Sequence, residues 1–447
     1  MSYPRYSPAL LTDRYELTML QAALRDGTAQ RRCVFEVFSR RLPAGRRYGV
    51  VAGTGRLLEA LPSFRFGEEE LAFLERDGVV DRATLDHLAD WRFTGSIRGY
   101  AEGECFFPGS PVLVVEGTFA EAVLIETLAL SILNFDSAVA SAASRMTSAA
   151  MGRPCLEMGS RRTHEEGAVA ATRAAVVAGF AGTSNLEAGR RYGLATIGTA
   201  AHAFTLLHDD EASAFASQVA ALGPSTTLLV DTFDVRAGVR AAVAAAGTGL
   251  AAVRLDSGDL TSLAQEVRAQ LDELGATGTR IVVSSDLDEY AIAALAASPV
   301  DSYGVGTSVV TGSGAPTCGM VYKLVAREGR SGAMEPVEKV SPHKASVGGR
   351  KAAARRLDDG RRAVEEILLV GDDDEVAGWA PTGADLRALH VPLVEDGRVV
   401  GGTGPEAVLT AAAHHLLSRA ELPRGARRLS AGDPALPTVH VDAAHCR

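Results

Sequence analysis

From Cys155 onward the chain keeps a beat that few folds accommodate: a short apolar run ends in polar or glycine residues, and a helical stretch usually follows. Cys155–Met158 ends in Gly159-Ser160-Arg161-Arg162 and leads into a helix over Glu165–Gly179. Phe180-Ala181 runs into Gly182-Thr183-Ser184-Asn185. Leu194–Ile197 ends in Gly198-Thr199, with a helix near Asp209–Leu222; Leu228–Val230 ends in Asp231, with a helix over Asp234–Ala246. Leu250–Val253 ends in Arg254-Leu255-Asp256-Ser257-Gly258-Asp259, with a helix to Leu274. Ile281–Val283 ends in Ser284-Ser285-Asp286, with a helix to Ala297, and Ser302–Val305 ends in Gly306-Thr307. Strands roughly twenty to thirty residues apart, each with its own helix, are parallel βα units. About seven such units without an early GxGxxG fingerprint predict an α/β fold built on an incomplete parallel barrel, not a six-stranded dinucleotide-binding sheet.

The flanks break this beat. Residues 1–115 mix a helix starting at Asp13, with Tyr15 in its first turn, strands at Arg32–Phe38, Ile97–Tyr100 and Val112–Glu116, and helices at Gly55–Leu61 and Glu68–Arg76. They read as a separate α+β domain, with the four arginines of Arg40–Arg47 on a solvated turn. The barrel domain spans 116–313 and opens with Phe119–Met151, which is alanine-rich, lacks Gly and Pro, and predicts one or two long buried helices. Residues 314–447 form a β-rich part packing on the N-terminal domain, with strands at Val321–Ala326, Pro336–Val340, Ile367–Val370 and Leu393–Val400. It also holds a basic loop at Lys344–Lys351, a solvated acidic loop at Gly371–Asp374, a helix at Pro405–Ala420, and a loose tail over Arg424–Arg447.

Composition narrows the function. The 45 basic and 55 acidic residues leave a net charge of −10, which argues against a general nucleic-acid binder but leaves room for a local basic pocket. Five cysteines (Cys33, Cys105, Cys155, Cys318, Cys446) are scattered without a CxxC pair, so reduced cytoplasmic thiols are expected, not zinc ligands or disulfides. Neither a signal peptide nor an uncharged run of membrane-spanning length is seen, and no membrane association is expected.

The strand ends carry the chemistry. Arg161, Thr183, Ser184, Thr199, His202, Asp231, Arg254, Asp256, Ser257, Ser284, Ser285, Gly306 and Thr307 all follow or end apolar runs, where α/β proteins bind ligands. Two arginines suit phosphate, Gly-Thr and Ser-Ser turns expose backbone N–H groups, and Asp256 suits sugar hydroxyls or Mg²⁺. Helix capping accounts for a Ser, Thr or Asp taken singly, and a lone His202 for a structural histidine. Capping does not account for Arg254 at a strand end or for the Arg161-Arg162 pair. The set points to a phosphorylated sugar and a second small ligand. A Schiff-base aldolase is excluded there because residues 155–307 contain no lysine.

In order along the chain, Thr12-Asp-Arg-Tyr15-Glu-Leu-Thr-Met19, Glu157-Met-Gly-Ser-Arg161-Arg, Gly182-Thr-Ser184-Asn, Gly198-Thr-Ala-Ala-His202, Asp231-Thr-Phe-Asp234, Arg254-Leu-Asp-Ser-Gly-Asp259, Val283-Ser-Ser-Asp286 and Gly304-Val-Gly-Thr307 are the motifs of a family. The chain resembles nicotinate phosphoribosyltransferases, in the type II group that includes nicotinamide and quinolinate phosphoribosyltransferases. The resemblance implies an incomplete α/β barrel with an α+β domain from both chain ends, and a homodimer with the active site at the subunit interface. It implies transfer of phosphoribosyl from 5-phosphoribosyl 1-diphosphate to nicotinate, with ATP as co-substrate and Mg²⁺ as cofactor. It makes His202 the phosphorylated histidine and Tyr15 of the neighbouring subunit the aromatic stacking on pyridine. By the same resemblance Thr199 is a nicotinate contact, and Arg161, Arg254 and Asp256 are contacts to the phosphoribosyl diphosphate. Ser257, Ser284, Ser285, Gly306, Thr307 and Ser346 complete the expected substrate site. Ser184 stands where nicotinamide-specific relatives carry an aspartate, which would repel a carboxylate; serine can donate to it.

Two positions depart from the family. Ala203 stands where relatives often carry a polar residue, and Gly348 where they usually carry proline. Nicotinamide or quinolinate enzymes are the near alternatives, and a catalytically silent nucleotide-binding relative is the alternative of another class. Ser184 argues against the first, the length and C-terminal region against the second, and intact His202, Arg161 and Arg254 against the third.

Overall fold

The computed structural model describes residues 7–339, 346–372, 375–376, 379, 381 and 385–442. Val340, Lys344, Asp373, Asp374 and residues 443–447, on which parts of the expected strand, basic loop, acidic loop and tail fall, lie outside the described residues. The chain divides into two compact units, Met1–Ser141 with Ala315–Arg447, and Ala142–Gly314.

The first unit is built on a seven-stranded sheet in the order Met334–Pro336, Met320–Glu328, Arg32–Ser39, Leu113–Thr118, Ser96–Tyr100, His390–Glu395, Arg398–Val399. A four-stranded sheet (Leu386–Ala388, Arg350–Leu357, Ala363–Gly371, Thr438–Asp442) and a two-stranded one (Gly49–Val50, Cys105–Phe106) complete it. The helix Arg14–Asp26 starts after Asp13 as expected and buries Leu17 and Leu20 in a core shared with Leu57, Phe64, Trp91, Val115 and Leu133.

Several expectations change here. The division near residue 115 moves to Ser141, because Leu124, Ile125, Leu128, Ala129, Ile132 and Leu133 pack into that same core. The segment expected to be one or two helices is a short helix Phe119–Ala122, a 3-10 turn, and the long helix Glu126–Ala149. By length and composition alone Phe119–Ala149 could cross a membrane, but 67% of its most apolar window is buried inside the protein, as in a core helix. The expected loose tail instead holds a strand, Thr438–Asp442, paired in parallel with Ala363–Gly371. Arg350–Leu357 is a strand that basic residues concealed: Lys351 and Arg355 are buried against Glu36, Glu104 and Glu366.

The second unit holds a curled sheet of six parallel strands in the order Gly182–Thr183, Cys155–Glu157, Ser302–Val305, Arg280–Ser285, Ala252–Leu255, Thr227–Leu229. This is the incomplete barrel the beat predicts, with one correction. Leu194–Ile197 is not a strand but a single bridge from Thr196 to Thr183. Ala195 and Thr196 are exposed, whereas parallel strands persist where both faces are covered. Side chains of Asn185, Asp210, Asp234, Asp259 and Asp288 accept N–H bonds at helix starts, so capping is the role of those residues.

Candidate active site

Asp231 and Asp256, one residue or two past their strands, cap nothing. Asp231 follows Thr227–Leu229 and its side chain is almost wholly enclosed. Its Oδ2 accepts the Asp256 N–H at 2.8 Å and the Ser257 hydroxyl at 2.8 Å. Asp256 Oδ1 accepts the Ser284 hydroxyl at 2.6 Å. Three successive strand ends are thus tied together by two carboxylates. Ser257 and Ser284, expected as substrate contacts, each spend a hydroxyl hydrogen on holding these aspartates.

His202 is the first residue of the helix His202–Leu206, whose N-cap is Ala201, so it caps nothing either. Its Nδ1 lies 3.1 Å from the Thr232 hydroxyl, while Nε2 lies 4.0 Å from Asp231 Oδ1 and 3.8 Å from Asp256 Oδ2. Two carboxylates near Nε2 favour a proton there, which leaves the Nδ1 lone pair for Thr232 or for an incoming group. Arg254 Nη1 donates to Thr199 Oγ1 at 2.9 Å. Among the buried polar atoms of the described residues that have no hydrogen-bond partner, Arg254 Nε, Asp231 Oδ1 and Glu211 Oε1 belong to this cluster. Burial lowers the Arg254 pKa; Asp256 and Asp231 oppose that, and Arg161 adds to it. Glu211, passed over in the sequence, joins by charge: burial, then Asp231 and Asp234, push its pKa up to about 6.

At the neighbouring strands a second buried carboxylate organises the backbone. Glu157, with no exposure, accepts the Gly159 N–H on Oε1 and the hydroxyls of Thr172 (2.8 Å) and Thr183 (2.5 Å) on Oε2. Thr183 Oγ1 accepts the Asn185 N–H at 2.9 Å, and Asn185 Nδ2 donates to Ser160 Oγ at 3.0 Å. Arg161 and Ser184, carried on these turns, are both exposed. Gly159 is required: a Cβ there would strike Val310 and come within 2.9 Å of the Gly306 carbonyl oxygen.

The remaining expected residues are more scattered. Gly306 and Thr307 stand at the end of Ser302–Val305, at the start of the short helix Thr307–Val310, and Ser285 is exposed at the end of its strand. Tyr15 and Ser346 belong to the first unit. Tyr15 is 45% exposed; burial of its remainder and the carboxylates of Glu126 and Glu16 raise its pKa, so its hydroxyl stays protonated. Ser346 is nearly buried, and its Oγ accepts the Lys339 N–H at 3.3 Å. Thr232 and Glu157 were given no role in the sequence. An acidic residue inside an apolar strand was the available signal for Glu157; Thr232, inside a quoted motif, offered none.

The chain matches the family model of the nicotinate phosphoribosyltransferase N-terminal domain over residues 10–134 and that of the nicotinate phosphoribosyltransferase family over residues 154–354. It is 58% identical to nicotinate phosphoribosyltransferase pncB1 of Mycobacterium tuberculosis, over 97% of this chain and 95% of that one. It is 32% identical to human nicotinate phosphoribosyltransferase, over 86% and 85% of the two chains. The crystal structure of human nicotinic acid phosphoribosyltransferase superposes with a TM-score of 0.81 at 26% identity, covering 96% of this chain and 97% of that one.

Proposed function

The chain belongs to the nicotinate phosphoribosyltransferase family, and on that premise we propose how its strand-end residues share the work of the reaction. The enzyme joins nicotinate to 5-phosphoribosyl 1-diphosphate, giving nicotinate mononucleotide and diphosphate in NAD biosynthesis. The C1–O bond to diphosphate breaks ahead of attack by the pyridine nitrogen, so positive charge gathers on the ribose and negative charge on the leaving group. The pyridine nitrogen carries no proton, and no general base is required. What remains is to neutralise the diphosphate and to hold the ring in line.

The observation that carries this assignment is a pair of unpartnered buried atoms at one cluster, Arg254 Nε and Asp231 Oδ1. Atoms left so are costly unless a ligand completes them. Arg254 and the exposed Arg161 receive the diphosphate, and Asp256 takes ribose hydroxyls through Oδ2. Thr199 and Ser184 face the nicotinate, Ser184 donating to its carboxylate. Ser285, Gly306 and Thr307 offer backbone N–H groups and hydroxyls to the 5-phosphate, while Ser257 and Ser284 hold the two aspartates. Among the described residues no three His, Cys, Asp or Glu side chains are set to cage a metal. Mg²⁺ nevertheless fits the donor chemistry of Asp231 Oδ1 and Asp256 Oδ2 if substrate phosphates and water complete its shell. Bound there, it would offset charge on the departing diphosphate.

ATP acts through His202. With Asp231 and Asp256 favouring the proton on Nε2, Nδ1 takes the γ-phosphoryl group as the bond to ADP breaks; Thr232 orients the ring beforehand through the same nitrogen and gives way to the incoming group. Tyr15 serves the site across a homodimer, against the pyridine ring, and Ser346 is a further substrate contact. A cytoplasmic location accords with the free thiols of Cys33, Cys105, Cys155 and Cys318.

Product formation from nicotinate with and without ATP tests the coupling. His202→Ala should abolish ATP stimulation and ATPase activity while leaving slow transfer; unchanged stimulation would remove His202 from the mechanism. Mixing inactive Tyr15→Ala and His202→Ala chains should restore part of the activity. No recovery despite subunit exchange would sink the shared site.

A further inference from the structure

Glu157 poses a physical question. It sits in a strand, wholly buried, with two hydroxyls and one backbone N–H around it and, among the described residues, no cation as a hydrogen-bond donor. A buried carboxylate held only by neutral donors is expensive, and an apolar side chain of similar volume would serve stability as well or better. Its hydrogen bonds belong to a closed circuit. Gly159 N–H and Thr183 hydroxyl meet on the carboxylate, Thr183 Oγ1 accepts the Asn185 N–H, and Asn185 Nδ2 returns to Ser160, the residue after Gly159. Backbone pairing does little here. The strand Gly182–Thr183 has two residues, and its register with Cys155–Glu157 rests on Leu156↔Gly182 and Glu157↔Thr183. Beyond that pairing, the Ala181 N–H bond to the Cys155 carbonyl (2.8 Å), the Ser184 N–H bond to the Glu157 carbonyl (2.9 Å), the Thr172 hydroxyl set between Glu157 and Thr183, and the side-chain circuit join the two segments.

We propose that Glu157, Thr183, Asn185 and Ser160 are positioning residues that lock the Arg161 turn and the Ser184 turn into one rigid piece, so that the diphosphate and pyridine ends of the site are set at a single spacing. The proposal rests on the reading of Arg161 and Ser184 as substrate contacts. Each arm of the circuit ends one residue from such a contact: Ser160 precedes Arg161, and Thr183 and Asn185 flank Ser184. A slip at any link therefore displaces both ends together. The assignment above gives none of the four residues a substrate contact of its own, so their effect is on alignment, where a small displacement carries a large kinetic cost. Asn185 also accepts the Ala188 N–H at 2.9 Å, which anchors the circuit to the helix Leu186–Tyr192.

Steady-state kinetics with both substrates, on the full-length enzyme, test this. Thr183→Val keeps the shape and removes the hydroxyl that bonds the carboxylate; the Michaelis constants for nicotinate and for 5-phosphoribosyl 1-diphosphate should both rise, by about tenfold or more. Thr183→Ser keeps the hydroxyl and should restore both to within about threefold. Ser160→Ala opens the circuit at its more accessible link without risk to folding, and should raise both constants by about threefold. Melting temperatures on the same samples separate alignment from folding. A Thr183→Val enzyme that melts earlier but keeps both Michaelis constants, or variants that raise only one of them, would overturn the proposal. Arg161→Ala and Ser184→Ala provide the control. If these leave the diphosphate and nicotinate constants unchanged, the underlying assignment falls and the proposal with it; if they raise them while the circuit variants do not, only the proposal falls.

Discussion

Each compact unit encloses an arginine on a strand, and the two are treated in opposite ways. Arg355, in the first unit, is completely buried; its terminal nitrogens meet Glu104 at 2.6 Å, the Cys105 carbonyl at 2.6 Å and Glu366 at 2.9 Å. Burial works to lower its pKa, yet Glu104 and Glu366 outweigh that and raise it. Among the described residues the guanidinium of Arg254, in the second unit, has one hydrogen bond, to the neutral hydroxyl of Thr199, and its pKa is lowered. Arg355 Nε, like that of Arg254, has no hydrogen-bond partner, but the charge of its terminal nitrogens is met by two carboxylates of its own protein. Arg254 is a charge left for something else to complete. The difference separates a group that holds the fold from one that awaits a ligand, and it cannot be seen in burial alone.

Four substitutions test that distinction. Arg355→Met leaves Glu104 and Glu366 buried without their main counter-ion and should cost about 3–5 kcal/mol of stability, measured by denaturant unfolding, with Michaelis constants of the folded enzyme unchanged. A loss under about 1 kcal/mol would mean the network is dispensable. Arg254→Gln should do the reverse: kcat/KM falls by roughly two to three decades, while stability holds or rises because an unpartnered charge is gone. Equal losses of stability in both variants would erase the contrast.

Ser184→Asp sets a second negative charge against the nicotinate carboxylate. Two charges about 4 Å apart repel by about 4 kcal/mol at an effective dielectric near 20. Ser184 is exposed, so screening reduces this to a rise in the nicotinate Michaelis constant of roughly one to two decades, with nicotinamide affected less. Equal losses toward both substrates in competition assays would make Ser184 a structural residue.

The smallest effect sharpens the contrast within the first unit. For Glu104 burial opposes the charge, yet Arg355, His414 and Arg387 hold its pKa well below the ordinary value. Glu16 is equally enclosed but has only neutral donors, Thr12 and Thr127; burial raises its pKa from 4.5 to about 7 against their pull. Between those values the folded state holds a proton that the unfolded chain has released, so stability falls as pH rises from about 4.5 to about 7. Glu16→Gln should remove that slope, leaving the variant about 1–2 kcal/mol more stable than its parent at pH 8 and equal to it near pH 4. Parallel stability–pH curves for the two proteins would contradict the shift.

Legibility followed the range of the interactions. The helix Glu68–Arg76 and the strand Ser302–Val305 appear in the structure with the bounds read from the sequence, because local pattern and turn residues define them. Arg350–Leu357 was missed because its inward basic residues depend on Glu36, Glu104 and Glu366, all distant in the chain. Thr438–Asp442 was missed because a strand at a chain end is called into being by its partner, Ala363–Gly371. In the site, His202, Asp231, Arg254 and Asp256 stood out as polar residues closing apolar runs. Nothing local distinguished Ser257 as a brace for Asp231, or Thr232 as the partner of His202.

By itself the sequence determined which residues stand at strand ends, apart from Thr199 and His202, which follow a single bridge, since apolar runs of strand length, helix periodicity and N-capping aspartates are short-range properties. It thereby determined the parallel barrel and, through the motifs in their order, the family. Only the tertiary structure decided which of those residues are completed by neighbours and which are left open. That decision depends on distances between strands far apart in the chain: Ser284 reaches Asp256, Glu157 gathers Thr172 and Thr183, and Asp231 Oδ1 and Arg254 Nε are left without a partner. Hydrogen bonds act over about 3 Å, and no local pattern specifies a separation between residues dozens of positions apart to that precision.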